Sequence, residues 1–253
     1  MGEKLKSLSA SQKIKLFEQQ LKNLQEGEKR TFLLQTIEDK ELPSSVQAAA
    51  LKALSQSSFQ AEAVLKKYVS YNSRIIARAA KKALKEIKQR QNKDKRLSTL
   101  VLRKIKSTKE KQKRLKIIKS IAGVDGAWVN EVLLAALEDP SEEIRNFIIR
   151  ELAQREDLKL DSLYQKLLHP PWYAKSAVLK ILSYKKDPLT LGLIETVIDD
   201  PNVDVRISAA QALGKIGGEE ALLLLNKLAQ DKNRFVRKSA EKGINKASRL
   251  KFS

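Results

Sequence analysis

The feature that most constrains this chain is an internal repeat of about 31 residues. Three segments carry it plainly: DPSEEIRNFIIREL from Asp139, DPNVDVRISAAQAL from Asp200 and DKNRFVRKSAEKGI from Asp231. In each, an Asp stands six residues before an Arg (Arg145, Arg206, Arg237), and an apolar residue follows seven after that Arg (Leu152, Leu213, Ile244). HPPWYAKSAVLKIL from His169 fits the same frame, with Lys175 and Leu182 in the matching slots. Carried towards the N-terminus, the register places its key position at 47, 77, 114, 145, 175, 206 and 237. The spacings are 30, 37, 31, 30, 31 and 31 residues. A repeat unit of this length cannot close a core alone, so units must stack on one another. The one spacing of 37 implies extra residues in KQRQNKDKR, which we expect to form a lengthened loop near 89–95.

Within a unit the apolar period is that of paired helices. In the sixth, Pro188 to Ile198 predicts a first helix with Leu189, Leu193, Ile194 and Val197 on its core face. Asp199, Asp200 and Pro201 break the chain. A second helix then follows from Asn202, with Val205, Ala209, Ala212, Leu213 and Ile216 inward, and Gly217 and Gly218 ending it. Residues Ser9 to Leu24 predict one additional amphipathic helix. The expected organisation is a cap over 1–28 and a repeat array over 29–253, together a single domain.

The turn and second helix, Asp-Pro then Val-Arg then Ala-x-x-Ala-Leu-Gly, resemble the short HEAT-like repeats of the phycobilisome-lyase type. That resemblance is strongest in the sixth unit and covers roughly residues 30–248. It implies an all-α, right-handed α-solenoid of about seven helical pairs behind the N-terminal cap helix, with second helices lining a concave face. It also implies that Asp139, Asp200 and Asp231 with Arg145, Arg206 and Arg237 form a structural ladder between repeats. The HEAT-fold metal hydroxylases carry repeated His-Glu pairs as iron ligands, and this chain has none.

Composition narrows the chemistry. Cysteine is absent, which removes thiol catalysis, disulfides and thiolate zinc sites. The lone histidine, His169, occupies a turn slot filled elsewhere by Asp139, Asp200 and Asp231, before Pro170 and Pro171, and reads as a polar turn residue. No phosphate-binding loop, dinucleotide fingerprint, nucleophile elbow or HExxH string occurs, so neither a catalytic centre nor a metal or cofactor is expected. The N-terminal stretch is amphipathic and charged, without the apolar core of a signal peptide. No apolar run approaches the ~20 residues of a membrane span, and a cytoplasmic protein is expected.

Charge is the strongest functional signal. The net charge is +20, and Lys66 to Lys119 holds 21 basic and 3 acidic residues, a net of +18. The remainder is nearly balanced. Arg74, Arg78, Lys81, Lys85 and Lys88 follow spacings of four and three, forming one stripe roughly 140° from the face of Ile76, Ala80, Ala83, Leu84 and Ile87. The next unit adds Arg103, Lys104, Lys106, Lys109, Lys113 and Lys116. A merely solvated helix face mixes signs, whereas clustered charge of one sign marks a partner. Trp128 takes a slot equivalent to Leu189 and is expected in the core. Trp172 and Tyr173 could stack on a ligand or fill the gap left by the Pro170-Pro171 turn.

These readings converge on a non-catalytic scaffold that grips an acidic protein segment on a basic concave surface. The alternative is a nucleic-acid-binding solenoid. A DNA glycosylase of HEAT-like fold would need a groove-facing Asp beside tryptophan, and a phycobilin lyase subunit is suggested by repeat type alone. The oligomeric state is left open.

Overall fold

In the computed structural model, residues 8–57, 61–169 and 171–250 are described, the side chains of Glu26, Arg249 and Leu250 excepted. Residues 1–7 of the expected cap segment and Pro170 of the expected proline turn lie outside these. The described chain is helical, with no strand, and is an α-solenoid in class.

A first helix, α1 (Ala10–Asn23), starts at a capping box: the Ser9 hydroxyl accepts from the Gln12 N–H while the Gln12 side chain accepts from the Ser9 N–H. Pairs follow: α2 (Glu26–Glu38) with α3 (Ser44–Gln56), and α4 (Glu62–Lys67) with α5 (Arg74–Ser107). After α6 (Lys111–Ala122) come α7 (Ala127–Ala136) with α8 (Glu142–Gln154), and α9 (Leu160–Leu168) with α10 (Trp172–Lys185). The array closes with α11 (Leu191–Glu195) and α12 (Val203–Ile216), then α13 (Glu219–Leu228) and α14 (Arg234–Leu250).

The expected loop near 89–95 is not there. Helix α5 runs unbroken through it, so the second helix of one unit and the first helix of the next are a single 34-residue element. The cause is in the residues: Gln89 to Lys95 contains neither glycine nor proline and is made mostly of Gln, Lys and Arg, all good helix formers.

A second correction concerns the sixth unit. Pro188–Thr190 is a 3-10 turn held by Asp187, whose carboxylate accepts from the Leu189 N–H at 2.9 Å. The tighter turn rotates Leu189 out, 81% exposed, and the buried face is Leu191, Ile194, Val197 and Ile198 instead. Trp128, assigned by analogy with Leu189, is half-buried against the core.

The chain divides into two compact units, residues 1–95 and 96–253, and each has its own apolar cluster. In the first, Phe17 stacks on Phe32 at 5.6 Å, and Leu51, Leu54, Leu65, Ile76 and Ala80 complete the core. In the second, neighbouring second helices pack on one another: α8 on α10, α10 on α12, α12 on α14. The last of these contacts is close, because a Cβ on Gly214 would stand 2.5 Å from the Gly243 Cα. Helix α12 ends at Gly217 and Gly218, whose φ values of 75° and 88° suit glycine.

Candidate binding surfaces

Five cations of helix α5, Arg74, Arg78, Lys81, Lys85 and Lys88, are all exposed, and none makes an ion pair with a described residue. Over the same stretch Ile76, Ala80 and Ala83 are buried, with Leu84 and Ile87 packed at the edge. The basic stripe therefore covers ~21 Å of one face at 1.5 Å per residue.

Repeat register shows what that face is. The slot of Lys81, four past the key position, holds Leu51, Ile118, Ile149, Leu179 and Ala210 in other second helices, and all five are buried. Only Lys81 and, in the terminal helix α14, Glu241 are exposed there. The slot of Lys85 holds Ser55, Ala122, Ser183 and Gly214, buried, and is exposed again only at Lys85 and Asn245. Through these slots one second helix packs on the next, as Gly214 does on Gly243. On α5 they carry ammonium groups in water. The terminal helix mixes signs across them (Lys238, Glu241, Lys242), while the equivalent positions of α5 (Arg78, Lys81, Lys82) are all basic.

In the second unit Lys109, Lys113 and Lys116 are exposed, as are Arg103, Lys104 and Lys106. Lys113 pairs with Glu110 at 2.6 Å.

The Asp and Arg residues of the repeat are joined in a regular way. Each Asp carboxylate accepts from the N–H two residues on, at Ser141, Asn202 and Asn233, which fixes the turn. Each Arg donates through Nη1 to the carbonyl of its own turn Asp: Arg145 to Asp139 at 2.7 Å, Arg206 to Asp200 at 2.7 Å and Arg237 to Asp231 at 2.8 Å. The opposite edge of the guanidinium reaches the following turn. Arg206 grips Asp231 through Nε and Nη2 at 2.7 and 3.1 Å, and Arg114 grips Asp139 at 2.7 and 3.0 Å. Lys175 makes a single bond of 2.7 Å to Asp200. These acids are largely buried, and the Arg206 hydrogen bonds hold the Asp231 carboxyl below its usual range.

Arg145 departs from this pattern because the following turn offers exposed His169 in place of an Asp. Its guanidinium carbon stands 4.7 Å from the Tyr173 ring centroid. Tyr173 donates its hydroxyl to the Glu138 carbonyl at 3.2 Å and meets Trp172 edge-on at 5.8 Å. Trp172 is 44% exposed, so of the flagged aromatics one is open and one packed.

A groove of about 520 Å³ between α7 and α9 is lined by Leu134, Leu158, Asn130, Glu131, Asp157 and His169 among others. The Asn130 Oδ1 is buried there with no hydrogen-bond partner among the described residues. Among the described residues no group of three or more His, Asp or Glu could hold a metal ion, and no helix is long and apolar enough to cross a membrane.

Residues 160–245 match the family model for HEAT repeats. That segment is built of HEAT repeats. No curated protein sequence matches the chain. Among solved structures, human deoxyhypusine hydroxylase in complex with glycerol is similar over 96% of this chain and 81% of its own, at 19% identity and a TM-score of 0.40. A designed armadillo repeat protein is similar over 85% of this chain and 98% of its own, at 16% identity and a TM-score of 0.33. An engineered protein is similar over 86% and 95%, at 16% identity and 0.35. Likenesses this remote carry no activity across.

Proposed function

We propose that this chain is a non-catalytic HEAT-repeat scaffold that binds an acidic protein segment along the basic stripe of α5. The observation that carries the reading is the pair of exposed slots shared by α5 and α14. Where the terminal helix meets water with mixed charges, α5 presents Arg78, Lys81 and Lys85, with Arg74 and Lys88 extending the line. Like charges so placed repel one another, and an acidic partner relieves that repulsion. In this reading the cationic surface occupies, on α5, the slots through which other second helices pack. A second helix carrying carboxylates at three- and four-residue spacing would match its pitch.

Nucleic acid is the second reading, favoured by the uniform sign alone. Against single strands stands the sequence from 72 to 127, which contains no aromatic residue on which a base could stack.

The test is fluorescence anisotropy with a labelled helical peptide rich in Glu, a random duplex and a single strand, over a range of salt. Binding of the peptide alone, lost when Arg78, Lys81 and Lys85 are changed to Glu in a chain of unaltered helicity, supports the scaffold. Binding of duplex DNA at 50 mM salt with a log–log slope near about −4.5, as five phosphate contacts require, overturns it. Peptide binding unaffected by the three substitutions places the surface elsewhere.

A further inference from the structure

We infer that Arg145, held over the ring of Tyr173, is a docking site for an aspartate carboxylate at the head of a turn in a protein partner. Arg114 and Arg206 each offer the Nε–Nη2 edge to a carboxylate of the next turn, and each is gripped bidentately at 2.7–3.1 Å. Arg145 is set in the same way: its Nη1 donates to the carbonyls of Asp139 and Pro140 at 2.7 and 2.8 Å, so the guanidinium is already oriented. Its Nε and Nη2 have no hydrogen-bond partner among the described residues, because the slot that supplies the acid elsewhere holds His169. A bidentate Arg–carboxylate pair is among the stronger charge-assisted contacts, and here the ordering of the arginine has already been done by the turn.

The rings add a second contact that the other arginines lack. The guanidinium lies over the Tyr173 ring, and Trp172, edge-on to that ring, is 44% exposed. Tryptophan, tyrosine and arginine are the residue types enriched at the energetic centres of protein interfaces. Arg237 provides an internal control. It bonds its own turn as Arg145 does, but no ring of a described residue lies over it. The ligand chemistry is that of the turns which fill the equivalent edges: an Asp whose carboxylate faces outward, followed by Pro or another turn residue. This site is in the second unit and is independent of the α5 stripe.

The probe is acetyl-Asp-Pro-Ser-amide, titrated into the full chain carrying Trp128→Phe so that Trp172 is the sole tryptophan. Readouts are Trp172 fluorescence and the Arg145 Nε–H resonance. A saturable change in both with a Kd on the order of 1 mM is expected, about tenfold weaker for the Asn counterpart of the peptide. Arg145→Gln should abolish it, while Arg237→Gln and the triple-Glu stripe variant should leave it intact. Loss in the stripe variant with Arg145 unchanged would tie the signal to the other surface and overturn this inference. Equal response to the Asp and Asn peptides, or to inorganic phosphate, would also overturn it, as would retention in a folded Arg145→Gln chain.

Discussion

Arg206 and Asp231 show how one pair of side chains ties two repeats. Their side chains are 5% and 10% exposed, so each charge depends on the other for compensation. Hydrogen bonding from Arg206 is the main cause of the lowered Asp231 pKa. A carboxyl whose folded pKa lies below its unfolded value of 3.8 stabilises the fold at pH above that value, and the contribution is lost as pH falls through the folded pKa. Asp231→Asn should therefore cost about 3 kcal/mol at pH 7. The gap to the wild-type chain should narrow below pH 4 in denaturant titrations. His169 is the counterpart test. His169→Asp supplies the acid that Arg145 lacks and, being exposed, should raise stability by no more than ~1 kcal/mol, measured as a small rise in Tm that His169→Asn does not reproduce.

At the scale of elements, helix pairs and turns were legible because their signals are local. Asp-Pro, Asn202, the paired glycines and the 3.6-residue apolar period each act within one turn of helix. Two things were not legible, each for a physical reason. Leu189 fitted the helical period but sits in a 3-10 turn, where the period is three. The stretch 89–95 was read as a loop from its extra length, although its composition favours helix. For the candidate surface, exposure of the α5 stripe followed from its angle to the core, but its identity with the repeat-packing slots needed the burial of Leu51, Ile118 and Leu179 for comparison. The helix can be tested directly. Asn92→Pro should cost about 3 kcal/mol and reduce the 222 nm ellipticity, while Asn92→Ala should stabilise by roughly 0.5 kcal/mol. Both substitutions would be near neutral in an exposed loop.

On the scale of the whole molecule, the cationic run from Lys66 to Lys119 spans the boundary between two compact units, while each unit has its own core. A repeat array is held together by nearest-neighbour packing, so its stability is a sum of unit and interface contributions. Lys81 and Lys85 stand in slots that elsewhere carry that packing, and the described apolar residues form two clusters: one around Leu51, Leu54 and Leu65, the other from Ile105 to Ala247. Substitutions in one cluster should then report on that cluster alone. Leu51 is fully buried, and Leu51→Ala removes three carbon atoms from the first core, at a cost of about 2–5 kcal/mol. Ile148 is equally buried in the second, and Ile148→Ala should cost a similar amount there. In calorimetry combined with hydrogen exchange, Leu51→Ala should lower the protection of α2 and α3 and leave α10, α12 and α14 unchanged. Ile148→Ala should do the reverse. A single transition that both substitutions shift equally, with exchange protection falling across the whole chain, would mean that α5 couples the two clusters into one cooperative body despite its charged slots.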